Sequence, residues 1–413
     1  MIDYNRIGTN EKQKNILTIL NYIVGQKEVF ATDISAKTGL SFATISRALS
    51  LLKKSGIVVT KGKEMTDMGR HPDIFSLNGS FGYLLHFYMD AEYVKGYLAD
   101  FLGTVIAVKR MEIDRNITVN DFTKKLKICA DTLTNLQRVK YEKVMAASIA
   151  IPGLVDEKNK IVKRIPNFSN FKNANLFQYA QDALKVPVII NNEARLCVVG
   201  EYIGGFQEKK NIVYIDFTKY SGIGAGIILD GHLLTGKNGF AGEVGDMLVD
   251  MRNLDNGYHE DEGSLEATAG VGVLFGKLEL LMKRNRATIL KEILTMQSAK
   301  VMDIGIVEQA VLMQDLDVMD VFDETMKMWA IAVINLSVTF DPDTLILGGV
   351  VNQSNDVVLA RIKHYVSKVL PYDINIKLSE KNDDSQLCGG IYRLRRYVFN
   401  HMVTQRLFEE ETE

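Results

Sequence analysis

Apolar residues in the first segment of the chain recur at helical spacing. From Glu11 to Val24, the residues Ile16, Leu17, Ile19, Leu20 and Ile23 fall on one face, which predicts an amphipathic helix. Thr32 is the expected cap of a short second helix ending at Lys37, Gly39 supplies a turn, and Ser41 caps a third helix from Phe42 to Lys54. In that third helix Ile45, Leu49 and Leu52 face inward, leaving Ser41, Thr44, Ser46, Arg47 and Ser50 on the outer side. The runs Ile57–Val59 and Ile74–Leu77, joined by a polar stretch with Gly62, then predict a two-stranded wing carrying Lys61, Lys63 and Arg70. Three helices, a turn glycine and a wing make a winged helix-turn-helix. Its outer face, with short polar groups and one arginine, suits the base edges and phosphates of double-stranded operator DNA.

Beyond residue 78 the pattern changes to strands and longer helices. Tyr83–Tyr88, Val94–Ala99 and Thr104–Met111 read as successive strands, followed by a helix from Asn120 to about Val139. Val144–Ile151 and Val186–Ile190 read as buried strands, and a comparable set of elements begins at Ile212. This order predicts two similar α/β lobes, an inference from element order rather than from repeated sequence. The expected division is 1–78 for DNA binding, 79–190 for the first lobe and 191–387 for the second, with a C-terminal helix, 388–413, packing back on the first lobe. Trp329 and Ile331–Phe340 are expected in a core helix.

Composition sets limits on this picture. The 413 residues are 46% hydrophobic and 24% charged, ordinary for a folded globular chain. No signal-peptide or membrane-length apolar run is evident, so a cytoplasmic location is expected. Three scattered cysteines, Cys129, Cys197 and Cys388, offer neither a disulfide framework nor a cysteine-rich metal site and are expected to be buried. Net charge is −2 overall, yet residues 1–80 carry +4 and the remainder −6. Only the front end is therefore suited to a polyanion.

The stretch from Ser221 to Asp246 carries the densest candidate chemistry. Gly222, Gly224 and Gly226 are read as a loop between the strands Asn211–Phe217 and Ala225–Leu229, and Asp230–Gly231 marks a tight hairpin. Both P-loops and dinucleotide fingerprints need a following helix, which is not expected here. Glycines at this spacing would let backbone N–H groups approach a bound group.

The strings IPGLVD (Ile151 to Asp156), NNEARLCVVGEYIGG (Asn191 to Gly205), SGIGAGIILDGHLLTG, GFAGEVGD (Gly239 to Asp246), GSLEATAG and DPDTLILGG resemble the ROK family of repressors and sugar kinases in order and spacing. With a winged helix in front, ending in Gly69-Arg70-His71-Pro72, the chain is similar to that family's NagC/XylR-type repressors. The resemblance implies an actin-like (ribonuclease H-like, sugar-kinase type) two-lobed body, a sugar or sugar phosphate in its cleft, and a homodimer or homotetramer. The sugar-contacting positions it implies are Gly153, Asn192, Glu193, Glu243, Asp246 and Glu266, with Gly222, Gly224 and Gly226 as the remnant of a phosphate loop.

Departures from the family pattern bear on catalysis. Where family kinases carry Asp-x-Gly-Gly-Thr, this chain has Tyr88-Met89-Asp90-Ala91-Glu92, without glycine and with two carboxylates that repel phosphate. The family's base, the Asp of Asn-Asp-Ala, is Glu193 here, one methylene longer. The positions of the family's zinc ligands hold Asp246, Gly257, His259 and Ser264, so no zinc is expected, and the loop Met251–Glu262 is expected to be mobile. No catalytic residue and no cofactor are therefore expected. The resulting expectation is a sugar-responsive DNA-binding regulator, a repressor rather than an enzyme. Two readings stay open beside it: an active sugar kinase with an appended DNA-binding unit, and a DNA-binding protein whose cleft takes no ligand.

Overall fold

The computed structural model describes residues 10–63, 73–218, 220, 222–250, 264–299, 301–354, 356–381 and 384–409. The N-terminal unit consists of α1 (Glu11–Val24), β1 (Val29–Phe30), α2 (Ala31–Thr38), α3 (Phe42–Lys54), β2 (Val58–Lys63) and β3 (Asp73–Leu77). Asn10 caps α1 by accepting from the Gln13 amide, and the apolar stripe is buried as its spacing predicts. Thr32 is not the cap of α2. That helix begins two residues earlier than such a cap implies, with Phe30 at the N-cap position, and Asp33 reaches back to accept from the Phe30 amide at 3.0 Å, the acidic half of a capping box. Gly39 ends α2 in the left-handed region, and Ser41 caps α3 through the Thr44 amide. The sheet is three-stranded, in the order β1-β3-β2, rather than a two-stranded wing. Lys61 pairs with Glu28 at 3.3 Å, Lys63 closes β2, and Arg70 lies outside the described residues.

Next come β4 (Tyr83–Met89), β5 (Tyr93–Asp100), β6 (Val105–Glu112), α4 (Val119–Leu136), β7 (Val144–Ile151), β8 (Leu154–Asp156), β9 (Ile161–Arg164), α5 (Leu176–Leu184), β10 (Val188–Asn192) and α6 (Glu193–Gly205). Then follow β11 (Ile212–Phe217), β12 (Ile223–Leu229), β13 (His232–Leu233), α7 (Ser264–Ala269), α8 (Val271–Lys283), α9 (Thr288–Met296), α10 (Ile304–Leu312) and α11 (Leu316–Phe340). The chain finishes with β14 (Thr344–Gly349), α12 (Val357–Val369), β15 (Ile376–Leu378), α13 (Asp384–Val398), a π turn over Phe399–Val403, and α14 (Thr404–Glu409).

The two large sheets share one topology. The first has the order β10-β7-β4-β5-β6 and the second β15-β14-β11-β12-β13; in each, three parallel strands continue into an antiparallel meander. This is the duplication that element order predicts. Helices α6 and α13 lie between the sheets, α6 against β11 and β12, α13 against β4 and β7. Expected boundaries at 190/191 and 387/388 fall inside β10 and α13, so each cuts through an element.

Glycine sets how closely α6 and α13 cross. A Cβ on Gly200 would lie 1.9 Å from the Ser385 carbonyl oxygen, and one on Gly389 would lie 2.0 Å from that of Leu196. Glu201 is buried at this crossing and accepts from the hydroxyls of Ser385, at 2.6 Å, and Ser379. A buried carboxylate held this way fixes the register of the two helices.

One apolar core runs through the N-terminal unit, the inner strands β4, β5 and β7 of the first sheet and the C-terminal helices. It joins Ile16, Leu20, Leu49 and Phe75 to Tyr97 and Phe101, and these to Leu394, Phe399 and Leu407. The Phe101 ring sits 4.9 Å from Phe81 on one side and 4.9 Å from Phe399 on the other. In the second lobe Trp329 is fully buried in α11, stacks on Phe217 at 4.1 Å and donates to the Ala269 carbonyl at 2.7 Å. Cys129 and Cys197 are buried, whereas Cys388 is only partly so; all three are free thiols. No helix among the described residues is long and apolar enough to cross a membrane.

Candidate functional site

The site forms where the ends of β7 and β10 meet the first turn of α6. Asn192 stands at the N-cap of α6. Its Oδ1 accepts from the Arg195 amide at 3.2 Å, while its Nδ2 donates to the Gly153 carbonyl at 3.1 Å. Gly153 is required there because a Cβ would lie 2.4 Å from the Arg164 carbonyl oxygen. Asn192 and Gly153, expected as sugar contacts, are thus brought together by a hydrogen bond.

Glu193 is buried on the first residue of α6 and hydrogen-bonds the Tyr88 side chain. Burial pushes the Tyr88 hydroxyl well above its usual value, and the Glu193 carboxylate adds to that shift. Tyr88 and Met89 end β4 and Asp90–Glu92 turn into β5, so the segment aligned with the family's phosphate turn brings a phenol into the site at its strand end. Tyr88, Asp90, Tyr93, Glu193, Asp216 and Gln386 are among the walls of a cavity of about 220 Å3. Burial also raises the pKa of Asp90.

A second cavity, of about 890 Å3, is bounded by Arg164, Asn167, Thr218, Gly222, Glu266 and Gly270 among others, and shares Thr218 and Tyr220 with the first. This size suits a small-molecule ligand. The lobes touch across it. Asn167 Nδ2 donates to the Tyr220 carbonyl at 2.6 Å, the Arg115 guanidinium lies 5.3 Å over the Tyr220 ring, and Arg164 pairs with Asp246 at 3.5 Å.

The three glycines do not form one loop. Gly222 has φ +93 and abuts Glu266, whose carboxylate oxygen would lie 2.1 Å from a Cβ there, but β12 starts at Ile223 and contains both Gly224 and Gly226. Gly226 pairs with Tyr214, and a Cβ on it would lie 2.3 Å from the Ala194 carbonyl oxygen, so this glycine admits α6 onto the sheet. Asp230 and Gly231, both at positive φ, form the predicted hairpin turn.

Glu266 accepts weakly from the Ile223 amide at 3.4 Å, and Glu243 is partly buried. Burial raises the Glu243 carboxyl above its usual range; Arg195 opposes this, Asp246 reinforces it, and Arg164 opposes it. Of the expected sugar positions, Glu266 lines the larger cavity, Glu193 lines the smaller, and Glu243 and Asp246 are tied electrostatically to Arg164 between the lobes.

Arg195 escaped the sequence reading. It is buried, donates to the carbonyls of Gly239 and of Ala241 (3.1 Å), and faces Glu157 at 3.9 Å. It fixes the segment that delivers Glu243. The available signal is one arginine within the apolar run Ala194–Val199.

The zinc positions do not fit a metal. Gly257 offers no side-chain donor, Asp246 is engaged by Arg164, and Ser264 supplies only a hydroxyl; Gly257, His259 and the loop 251–262 lie outside the described residues. Among the described residues no group of three or more His, Cys, Asp or Glu could hold a metal.

On the outer face of α3, Ser46, Arg47 and Ser50 are exposed. Ser41 and Thr44 join hydroxyls at 3.0 Å in the helix cap, and Arg47 Nε folds back to the Ala43 carbonyl at 3.1 Å.

Known proteins share this architecture. A xylose repressor of Bacillus subtilis is 28% identical over 359 residues, covering 86% of this chain and 87% of its own length. A glucokinase of Halalkalibacterium halodurans is 24% identical over 253 residues, 60% of this chain and 75% of its own. Among solved structures, a ROK family transcriptional regulator, homologous to the Escherichia coli MLC protein, superposes with a TM-score of 0.74 at 22% identity, covering 96% of this chain and 99% of its own. A ROK family glucokinase of Streptomyces griseus gives 0.62 at 18% identity, covering 76% and 100%. The sequence pattern that defines the ROK family matches residues 93–394, and the chain belongs to that family.

Proposed function

We propose that this chain is a sugar-responsive transcriptional repressor whose cleft binds a sugar or sugar phosphate without phosphorylating it. The observation that carries the reading is the single core joining the N-terminal helical unit to the lobe that holds the cleft. Relatives named xylose repressor, aligned over most of the chain, support it, and make xylose the first ligand to test. The bond between Tyr88 and Glu193 supports the non-enzymatic half. It commits the carboxylate at the family's base position to a phenol, on the side where a kinase would admit phosphate.

The route from cleft to DNA is short. Helix α6 begins at the cleft with Asn192 and Glu193 and crosses α13 at the Gly200 and Gly389 contacts; α13 continues into the core shared with the N-terminal unit. Packed helices shift between discrete arrangements rather than deforming smoothly. A ligand that favours one lobe arrangement therefore repositions the winged helices of a homodimer or homotetramer relative to paired operator half-sites.

The test is a thermal-shift screen of the full chain against xylose, other pentoses and hexoses, amino sugars and their phosphates, followed by operator titration with the hit. One or more sugars should raise the melting temperature and change operator affinity. A flat screen with intact DNA binding would favour a ligand-independent DNA-binding protein, while ADP release with any sugar would restore the kinase reading.

A further inference from the structure

Among the described residues of the N-terminal unit, one large apolar side chain is exposed, and the others are buried or half-buried. Phe42, the first residue of α3, is 58% exposed among the described residues, although the helix already fills its core with Ile45, Ala48, Leu49 and Leu52. Packing does not account for a phenylalanine there. In a helix, side chains lean back toward the N-terminus, so Phe42 projects beyond the start of α3. It shares one face with Ser46, Ser50 and Lys53, with which it borders an open depression of about 450 Å3. The side chains next to it on that face, Ser46 and Ser50, are short, so the ring stands above them.

Resting on the reading that this unit binds DNA, we infer that Phe42 is a specificity-determining residue that reads the 5-methyl group of a thymine in each operator half-site. The first residues of a recognition helix are those that reach base edges in the major groove. A phenyl ring has no donor or acceptor with which to read the hydrogen-bonding pattern there. The apolar group a base edge offers it is the thymine methyl. Ser46, Arg47 and Ser50, one and two turns further on, remain for polar contacts and phosphates.

The test begins with duplexes selected from a random pool by the full-length chain at fixed salt. Each thymine of a selected duplex is then replaced singly by deoxyuridine, which removes only the methyl, and affinities are measured by fluorescence anisotropy for wild type, Phe42→Ala and Phe42→Leu. Wild type should lose roughly fourfold at one thymine per half-site, the worth of one buried methyl group. Phe42→Ala should bind the parent duplex more weakly and be indifferent to deoxyuridine at that position, whereas Phe42→Leu should keep part of the discrimination. Unchanged melting temperatures would verify that both variants fold. Wild-type indifference at every thymine, or undiminished discrimination in Phe42→Ala, overturns the assignment. Recovery of no duplex at all overturns DNA binding itself, an outcome read before any substitution is made.

Discussion

Acidification should destabilise this protein through His86, and the structure sets the size of the effect. The ring lies fully buried on β4; its Nε2 pairs with Gln386 Oε1 at 2.8 Å, and Gly390 of α13 packs flat against it. Burial lowers its pKa from 6.5 to about 4, with the Gln386 hydrogen bond opposing the shift. The folded state therefore keeps His86 neutral while the unfolded chain takes up a proton below pH 6.5. Stability present above pH 6.5 is lost as pH falls toward 4; at about 1.36 kcal/mol per pH unit the interval amounts to about 3 kcal/mol. Urea unfolding followed by circular dichroism from pH 7.5 to 4.5, in wild type and His86→Leu, isolates the contribution. Fluorescence is the weaker probe because the single tryptophan, Trp329, sits in the other lobe. The variant should start about 1–3 kcal/mol less stable, since Gln386 loses its partner, and the gap should close on acidification. Parallel pH profiles for the two proteins would refute the argument.

Three further outcomes follow from the site and its supports. Gly226→Ala should cost about 1–3 kcal/mol, because its Cβ would press on the Ala194 carbonyl; an unchanged melting temperature would show that α6 has room to move. Glu266→Gln should weaken the effector roughly tenfold or more and shrink the sugar-induced rise in melting temperature while leaving operator binding intact; an unaltered rise would remove Glu266 from the site. Arg47→Ala should weaken operator binding by about 1–3 kcal/mol in gel-shift titrations at fixed salt, provided the side chain leaves the Ala43 carbonyl to read a base; equal affinity would assign it to the helix surface.

Most elements were legible because their periodicity is strong. The stripe of α1, the Ser41 cap and the strand Val144–Ile151 need nothing beyond local sequence. What escaped depends on partners distant in the chain. A two-residue strand such as β1 has no period to detect, and exists because β3 offers it an edge. Gly224 and Gly226 look like a loop by composition, yet their role is to admit α6, which only the packed structure reveals. Arg195 meets the Gly239 and Ala241 carbonyls, and Tyr88 meets Glu193 across the parallel strands β4, β7 and β10; spacing along the chain encodes neither proximity.

The apolar core that unites residues near both ends of the chain also imposes an order on synthesis. While a ribosome is still making the second lobe, the N-terminal unit has emerged, but Leu387, Leu394, Phe399 and Leu407, which complete its core, have not. An apolar face therefore stays open until those residues have been made. A chain that stops before Leu387 leaves that face uncovered and open to aggregation and proteolysis.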